Sequence, residues 1–447
     1  MLFVMGLRNL ALSGGGNNDP AQWKVGAQLL AAKHSAVTTL DRVTLRSTLV
    51  ELNALFLEAP TSIQKAYRSM SERRIVRAYD DFANRLTDGS LAWSVPDSPE
   101  KIAEVLGGLI RAVDWTLVQR ENKCWTEPGE WLVDDLWFVI PRMGLSATRP
   151  PSRNQAYEKR GLRFHRIIPT KIDRFRVNVV PSRTHHRSAS DHQTWKMGAC
   201  LFEGLKLNPD IVDDEGQEKH FVVLSADCPS ASASVKSQIE DALNADCIAL
   251  VWPELTVPPA IRREIQETLN ARDMVDGREG PEVVVTGSWH EETEKDRVVN
   301  RAHIYDGYGV ERLVYDKIQP YADDDWGIEN IEPGDTISIL ASEAALIGFA
   351  ICLDFCDVVS NPFTELDLDI VLIPSMGNDR TMQGHQTTAS RVEVKFGTRC
   401  FVVQQTTSTK SNDRRIGTIL PLLKEPNGVS VADLGQMVPW KSYLWPT

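Results

Sequence analysis

The chain has 447 residues, which is too long for one ordinary domain and indicates two. Its content of 42% hydrophobic and 25% charged residues is that of a soluble globular protein. No apolar run approaches the ~18 residues that a membrane-spanning helix needs, and Arg8 interrupts the apolar start between Met1 and Leu12. We therefore expect a cytoplasmic protein without a membrane partner.

The cysteine count favours a reducing compartment, because seven cysteines are an odd number and none forms a CxxC pair. Cys352 and Cys356 are close enough to share a metal ion, but no matching pair of ligands follows nearby. His185, His186 and His192 raise the same question, and a solvated basic loop is the simpler interpretation. We expect no metal site and no cofactor.

Charge is distributed unevenly along the chain. Residues 1–200 carry 28 Lys and Arg against 20 Asp and Glu, whereas residues 201–447 carry 21 against 41. Twelve of the basic residues lie between Arg142 and Arg187, against only two acidic ones. This belt could bind nucleic acid or another polyanion, or it could contact the acidic second domain of its own chain or of a neighbouring subunit.

The first part of the chain has helical periodicity from Trp23 to about Ile140. One helix is predicted after the N-cap candidate Ser71 and another after Ser98, where a proline follows the cap. We predict a mainly helical domain over 1–145 of unknown role, then a basic linker with connecting strands over 146–217.

From residue 218 the pattern alternates between apolar strands and helices, which predicts an α/β domain with a sheet covered by helices. Strands are predicted at 220–226, 247–252, 283–287, 302–305, 313–318, 337–340, 369–374 and 400–405, and helices at 234–243, 258–270 and 387–395. The domain is predicted to extend over 218–447 and to include the C-terminal tail.

Three reactive side chains each follow an apolar run of this second domain: Glu254, Lys317 and Cys352. Taken singly, each has an ordinary structural interpretation as a helix-flanking acid, a solvated strand end or a core thiol. Taken together, they have the composition of a nucleophilic site. A thiolate attacks, a carboxylate takes and returns the proton, and an ammonium stabilises the developing negative charge.

The surrounding residues resemble the nitrilase, or carbon–nitrogen hydrolase, superfamily over roughly 218–423. The resemblance rests on three motifs in order, namely Trp252-Pro253-Glu254, Asp316-Lys317-Ile318 and Gly348-x-x-Ile351-Cys352-x-Asp354. It implies an αββα sandwich, a homo-oligomer, and hydrolysis of a non-peptide C–N bond in an amide or nitrile through a cysteine acyl-enzyme. Cys352 would be the nucleophile, Glu254 the general base and Lys317 the transition-state stabiliser.

The resemblance also implies a second glutamate, for which Glu329 is the candidate and Asp325 and Glu332 are alternatives in the same acidic loop. Its spacing ahead of Pro333-Gly334 is shorter than is usual in the family, and Phe355-Cys356-Asp357 replaces the usual aromatic-Pro-Glu turn. The other site candidates are the backbone N–H of Leu353 as an oxyanion donor, and Trp252, Ser375, Met376 and His385 as substrate-pocket residues.

Two further functions fit the same residues. If an amine replaced water as the acyl acceptor, the protein would be an acyltransferase. If the second domain were catalytically silent and the basic N-terminal region bound a polyanion, the protein would be a regulatory scaffold. The motif wording is also similar to that of nitrilase domains that accompany bacterial defence systems.

Overall fold

The computed structural model describes residues 19–121, 128–142, 160–182, 195–213, 218–272, 281–342, 345–357, 361–405, 416–422 and 440–445. These residues divide into two compact units, the first ending at Thr170 and the second beginning at Lys171. The predicted linker over 146–217 contributes strands to both units where it is described. The candidate metal ligands His185, His186 and His192 lie outside the described residues.

In its described residues, the first unit has five consecutive helices, a short sixth one and a three-stranded sheet. The helix predicted after Ser98 begins there, because the Ser98 side chain accepts a hydrogen bond from the Lys101 N–H and Pro99 takes the first helical position. The elements are α1 (Pro20–Ser35), α2 (Arg42–Leu57), α3 (Thr61–Ser69), α4 (Glu72–Thr87), α5 (Pro99–Arg120), α6 (Pro128–Trp131), β1 (Leu132–Val133), β2 (Trp137–Pro141) and β3 (His165–Pro169).

The extension of helical structure to Ile140 was wrong. Ile140 lies in β2, whose sequence Trp-Phe-Val-Ile-Pro is rich in aromatic and β-branched residues and ends on a proline. Antiparallel pairing of Trp137 with Pro169 and of Ile140 with Arg166 determines the structure of this segment. The partner strand follows about 25 residues later, so local periodicity could not reveal it.

Part of the basic belt is buried within the first unit. Arg160 donates from Nη1 to the Tyr67 carbonyl at 2.7 Å and from Nη2 to the Met70 carbonyl at 2.5 Å, and Arg166 is buried as well. These two side chains therefore cannot contribute to the predicted polyanion surface, although Arg163 is exposed. Arg149 and Arg153 lie outside the described residues.

The described strands of the second unit form three sheets. Its strands are β4 (Lys171–Ile172), β5 (Phe175–Pro181), β6 (Trp195–Cys200), β7 (Lys206–Val212), β8 (His220–Asp227), β9 (Ala249–Val251), β10 (Val283–Val285), β11 (Trp289–Glu292), β12 (Val298–Tyr305), β13 (Glu311–Asp316), β14 (Ala322–Asp323), β15 (Gly327–Glu329), β16 (Thr336–Ala341), β17 (Leu346–Phe349), β18 (Ile370–Met376), β19 (Arg399–Gln405), β20 (Gly417–Leu420) and β21 (Trp440–Trp445). Its helices are α7 (Ala231–Asn244), α8 (Pro259–Arg272), α9 (Leu353–Cys356) and α10 (Asp379–Phe396), with a 3₁₀ turn at Pro362–Glu365.

The strands that carry the candidate residues belong to two seven-stranded sheets. One has the order β20-β19-β18-β17-β16-β5-β4, in which β17, β18 and β19 are parallel neighbours. The other has the order β11-β12-β10-β9-β6-β21, with β13 paired to β12, and the small sheet has the order β14-β15-β8-β7. The result is the predicted mixed α/β architecture, with fully buried parallel strands that read as continuous apolar runs.

The described part of the C-terminal tail, β21, adds an antiparallel edge strand to β6 of its own chain, with Trp440 opposite Cys200. Among the described residues, no helix combines the length and apolar character that crossing a membrane requires.

Candidate active site

Cys352 lies in a tight turn between β17 and α9. Its N–H donates to the Pro374 carbonyl of β18 at 2.9 Å, so the turn is anchored to the neighbouring strand. The residue has a φ of +43°, a left-handed conformation that is unfavourable for a side chain larger than glycine. Such strain persists only where the surrounding structure holds it, and here it presents the thiol at the end of the sheet.

Lys317 follows β13 and is buried between two carboxylates. Its Nζ donates to Glu254 Oε1 at 2.7 Å and to Glu329 Oε2 at 2.6 Å. Burial lowers the pKa of Lys317, but the two carboxylates outweigh it and raise that pKa well above its usual value. Burial likewise acts to raise the pKa of Glu329, and Lys317 with His290 overcomes it and lowers that pKa to about 2. The ammonium and the carboxylate are therefore both charged at neutral pH.

Glu254 connects this ion pair to the thiol. It follows β9, and its Oε2 accepts a hydrogen bond from the Met376 N–H at 3.2 Å. The thiol of Cys352 donates to the carbonyl of the same Met376 at 3.4 Å. Gly287, with a φ of +62°, allows the neighbouring loop to approach, because a Cβ there would lie 2.2 Å from the Pro253 carbonyl oxygen.

Two residues that sequence reasoning missed complete the arrangement. Asn300 on β12 donates from Nδ2 to Glu254 Oε1 at 3.2 Å and to Glu329 Oε1 at 2.8 Å. His290 on β11 accepts the Val223 N–H at Nδ1, so its proton lies on Nε2, which donates to Glu329 Oε1 at 2.8 Å. We call these five residues the lysine cluster, namely Glu254, His290, Asn300, Lys317 and Glu329.

Asp354 joins the turn that carries Cys352 to the backbone just after Lys317. Its carboxylate accepts the N–H groups of Ile318 and Gln319 at 3.0 and 2.8 Å and the hydroxyl of Tyr315 at 2.9 Å. Burial raises the pKa of Asp354 to about 7, although Lys317 and these donors act in the opposite direction. Asp354 thus joins the backbone at Lys317 to the turn that carries Cys352.

A hydroxyl lies on another side of the sulfur. Ser375 Oγ is 3.3 Å from Cys352 Sγ, 3.3 Å from His385 Nε2 and 3.4 Å from Gln404 Oε1. Burial and Glu254 raise the pKa of the Cys352 thiol well above its usual value, while Lys317 and Ser375 lower it. Burial lowers the pKa of His385 to about 3. The resting site therefore contains a neutral thiol and a neutral imidazole.

The structure divides the remaining sequence candidates into residues that contact the site and residues that do not. Trp252 is fully buried in a core cluster and donates from Nε1 to Gln238 Oε1, so it is a core residue rather than part of a substrate-lining surface. Of the three acids proposed to act with Lys317, only Glu329 contacts it, whereas Asp325 is exposed and Glu332 pairs with Arg297. The Leu353 N–H lies in the first turn of α9, where backbone donors have no partner within the helix.

Within the described ranges, no group of three or more His, Cys, Asp or Glu side chains is arranged to hold a metal ion.

No protein-family model and no curated protein matches the sequence. Solved structures do match about half of it. Nit3 from Saccharomyces cerevisiae, a member of branch 10 of the nitrilase superfamily, is 16% identical over 49% of this chain and 78% of its own, with a TM-score of 0.35. An amidase from Nesterenkonia sp. is 14% identical over 47% of this chain and 75% of its own, with a TM-score of 0.33.

A glutamine-dependent NAD+ synthetase from Acinetobacter baumannii is 17% identical over 48% of this chain, with a TM-score of 0.33, and the match spans 38% of the synthetase. Scores of this size carry no inference about activity. Nit3 and an amidase of Nesterenkonia AN1 are both nitrilase-superfamily members.

Proposed function

We propose that the second unit is a thiol-dependent hydrolase of a non-peptide C–N bond, in an amide or a nitrile. One observation supports this most directly: a single residue, Met376, hydrogen-bonds Glu254 through its N–H and the Cys352 thiol through its carbonyl. The Glu254 carboxylate also binds the buried Lys317. Base, nucleophile and cation are thus held around one segment of backbone.

In the first step, Glu254 takes the proton of the Cys352 thiol as the sulfur bonds to the substrate carbon. The raised pKa of the thiol makes this base necessary, because little thiolate is present before substrate binds. The strained turn at Cys352 keeps the sulfur presented for attack. Burial strengthens the attraction between the emerging thiolate and Lys317.

Attack on an amide carbon places negative charge on the carbonyl oxygen. Lys317 Nζ and the Leu353 N–H are the donors for this oxyanion, and losing one such donor typically raises the barrier by ~3 to 4 kcal/mol. Glu329 is a poor candidate for a second base, because a carboxylate with a pKa of about 2 binds a proton weakly and its oxygens accept hydrogen bonds from Lys317, His290 and Asn300. We assign it the role of orienting Lys317.

The tetrahedral intermediate collapses when Glu254 returns its proton to the leaving nitrogen, which releases ammonia or an amine and leaves a thioester on Cys352. Water then attacks the thioester, Glu254 accepts a proton from the water, and the carboxylic acid leaves as the thiol is restored. An amine in place of water would complete an acyl transfer by the same route.

The proposal includes the αββα arrangement of the family. Contacts between β9 and β18 and between β6 and β19 support two sheets that pack face to face, with α10 along β19.

The test combines ammonia release from a panel of short aliphatic amides and nitriles with mass spectrometry of the Cys352 peptide. We expect an acyl adduct on Cys352 and turnover that disappears in Cys352→Ala. Cys400→Ala is the matched control, because it removes another fully buried thiol from β19 and should retain turnover. Unchanged turnover in Cys352→Ala would refute the assignment. Transfer of the acyl group to an ordinary primary amine, with little free carboxylic acid formed, would identify an acyltransferase.

A further inference from the structure

Ser375 contacts the reacting sulfur and has two other possible partners, all inside the protein. Its Oγ lies 3.3 Å from Cys352 Sγ, 3.3 Å from His385 Nε2 and 3.4 Å from Gln404 Oε1. Ser375 and His385 are completely buried, and Gln404 is 3% exposed. The proposed mechanism through Glu254 and Lys317 uses none of these three side chains.

The proton on His385 can be placed by counting donors. Its Nδ1 is buried without a hydrogen-bond partner, so a proton there would be an unsatisfied donor. With the proton on Nε2, the imidazole donates to Ser375 Oγ, and only an acceptor at Nδ1 is left unpaired. The low pKa of His385 excludes the form with both nitrogens protonated at neutral pH.

A hydroxyl has one proton, and His385 occupies an acceptor position of the Ser375 oxygen. The Ser375 hydroxyl can then donate its one hydrogen bond to Gln404 Oε1 or to Cys352 Sγ. While Cys352 is a thiol, its own proton is donated to the Met376 carbonyl, and Gln404 is the better acceptor for Ser375. Once Glu254 removes the thiol proton, the anionic sulfur becomes the stronger acceptor.

We propose that Ser375 is a further catalytic residue, which donates a hydrogen bond from its hydroxyl to the Cys352 thiolate and keeps its own proton, and that His385 is a positioning residue that orients this hydroxyl. The inference rests on the proposed function only in that it concerns the same thiol. The thiolate would then be stabilised in two ways: by the charge of Lys317, and by a hydrogen bond from Ser375, whose hydroxyl is also in contact with His385 and Gln404.

The experiment is the pH dependence of Cys352 alkylation by iodoacetamide in the full chain, followed by mass spectrometry of its peptide. The other titratable groups that influence this thiol are Glu254, Lys317, Tyr321 and Cys356, and all are retained in the variants below. In Ser375→Ala we expect the alkylation profile to move to higher pH, with a rate about tenfold lower on its rising limb, since one hydrogen bond to a charged group is lost. Ser375→Thr, which keeps the hydroxyl, should restore the profile.

His385→Phe should move the profile in the same direction by a smaller factor of about three, and His385→Gln should recover part of it, because the amide supplies a donor to Ser375. Thr388→Val is the matched control. Thr388 is on the same helix, is completely buried and has no hydrogen-bond partner for Oγ1, so this variant should keep the wild-type profile.

A wild-type profile in Ser375→Ala would overturn the proposal. So would a His385→Phe variant in which the rate falls by one factor at every pH, because that pattern reports altered access instead of altered acidity. The urea midpoint of each variant identifies any that fail to fold, and His385→Gln then provides the decision. Alkylation needs no substrate, so these outcomes stand apart from the presence or absence of ammonia release.

Discussion

Each unit of the protein buries a cation between two carboxylates, but only one of the two arrangements has a thiol beside it. In the second unit, Lys317 lies between Glu254 and Glu329. In the first unit, His165 lies between Asp114 at 2.7 Å and Glu121 at 2.9 Å, and Arg46 pairs with Glu121 at 2.6 Å. We call the four residues His165, Asp114, Glu121 and Arg46 the histidine cluster.

In the histidine cluster, the groups of the cluster bond to one another and to nearby backbone. The second oxygen of Asp114 accepts the N–H groups of Arg163 and Phe164, so its carboxylate is occupied by neighbouring backbone. The lysine cluster instead has a neighbour that can react, because Glu254 shares the backbone of Met376 with the strained Cys352. Buried charge alone therefore does not identify an active site. The proposed active site differs from the histidine cluster in having a thiol in a strained turn beside the charge.

The largest effect is expected from a substitution that breaks the lysine cluster. Lys317→Met leaves Glu254 and Glu329 buried without a cation, and we expect a loss of about 3 to 5 kcal/mol in the free energy of unfolding. Urea denaturation measures it. Lys395→Met is the control, since Lys395 forms a partly exposed pair with Glu365 and should cost less than about 1 kcal/mol. Similar losses of unfolding free energy in the two variants would mean that the buried ion pair contributes no more to stability than the exposed one.

Removing the cation of the histidine cluster should cost somewhat less. His165→Phe leaves Asp114 and Glu121 without the imidazolium, but Arg46 and two backbone N–H groups remain as partners, so we expect about 3 kcal/mol. The rate of Cys352 alkylation should stay within twofold of wild type, because no group identified around the thiol belongs to this cluster. A large fall in that rate would contradict the separation of roles.

The pH dependence of stability sharpens the same comparison. Burial acts to lower the pKa of His165, but Asp114 and Glu121 raise it to about 9. The stabilisation is therefore fully present below pH 6.5, the ordinary histidine pKa, and is lost as the pH rises towards 9. The difference in unfolding free energy between wild type and His165→Gln should shrink by about 3 kcal/mol across this range. A constant difference from pH 6 to pH 9 would rule out a charged His165.

The smallest expected effect concerns Asp354. Tyr315→Phe removes the hydroxyl that donates to its carboxylate, and a single buried hydrogen bond contributes about 1 kcal/mol to stability. Urea unfolding should detect a loss of this size, and Cys352 alkylation should change little, because the bonds from Ile318 and Gln319 still join the turn that carries Cys352 to the backbone just after Lys317. A loss above about 3 kcal/mol would show that Tyr315 is essential to this joint.

Local patterns in the sequence predicted many elements well. The helix after Ser98 begins at the cap that was expected, and the apolar run at 400–405 forms β19 within one residue of its predicted start. The apolar runs ahead of Glu254, Lys317 and Cys352 marked these side chains as one reactive set, although their strands belong to two different sheets. Local pattern failed at 132–141, where a strand pairing with 165–169 determined the structure.

The sequence by itself determined the two-part organisation, the α/β alternation and the three reactive side chains, because each of these depends on short-range order. Only the tertiary structure decided which acid of the 323–332 loop reaches Lys317, that Trp252 is a core residue, and that Asn300 and His290 contact Glu329. The physical reason is range. A hydrogen bond between residues far apart in the chain leaves no periodic trace, and its partners become known only when the strands are in register.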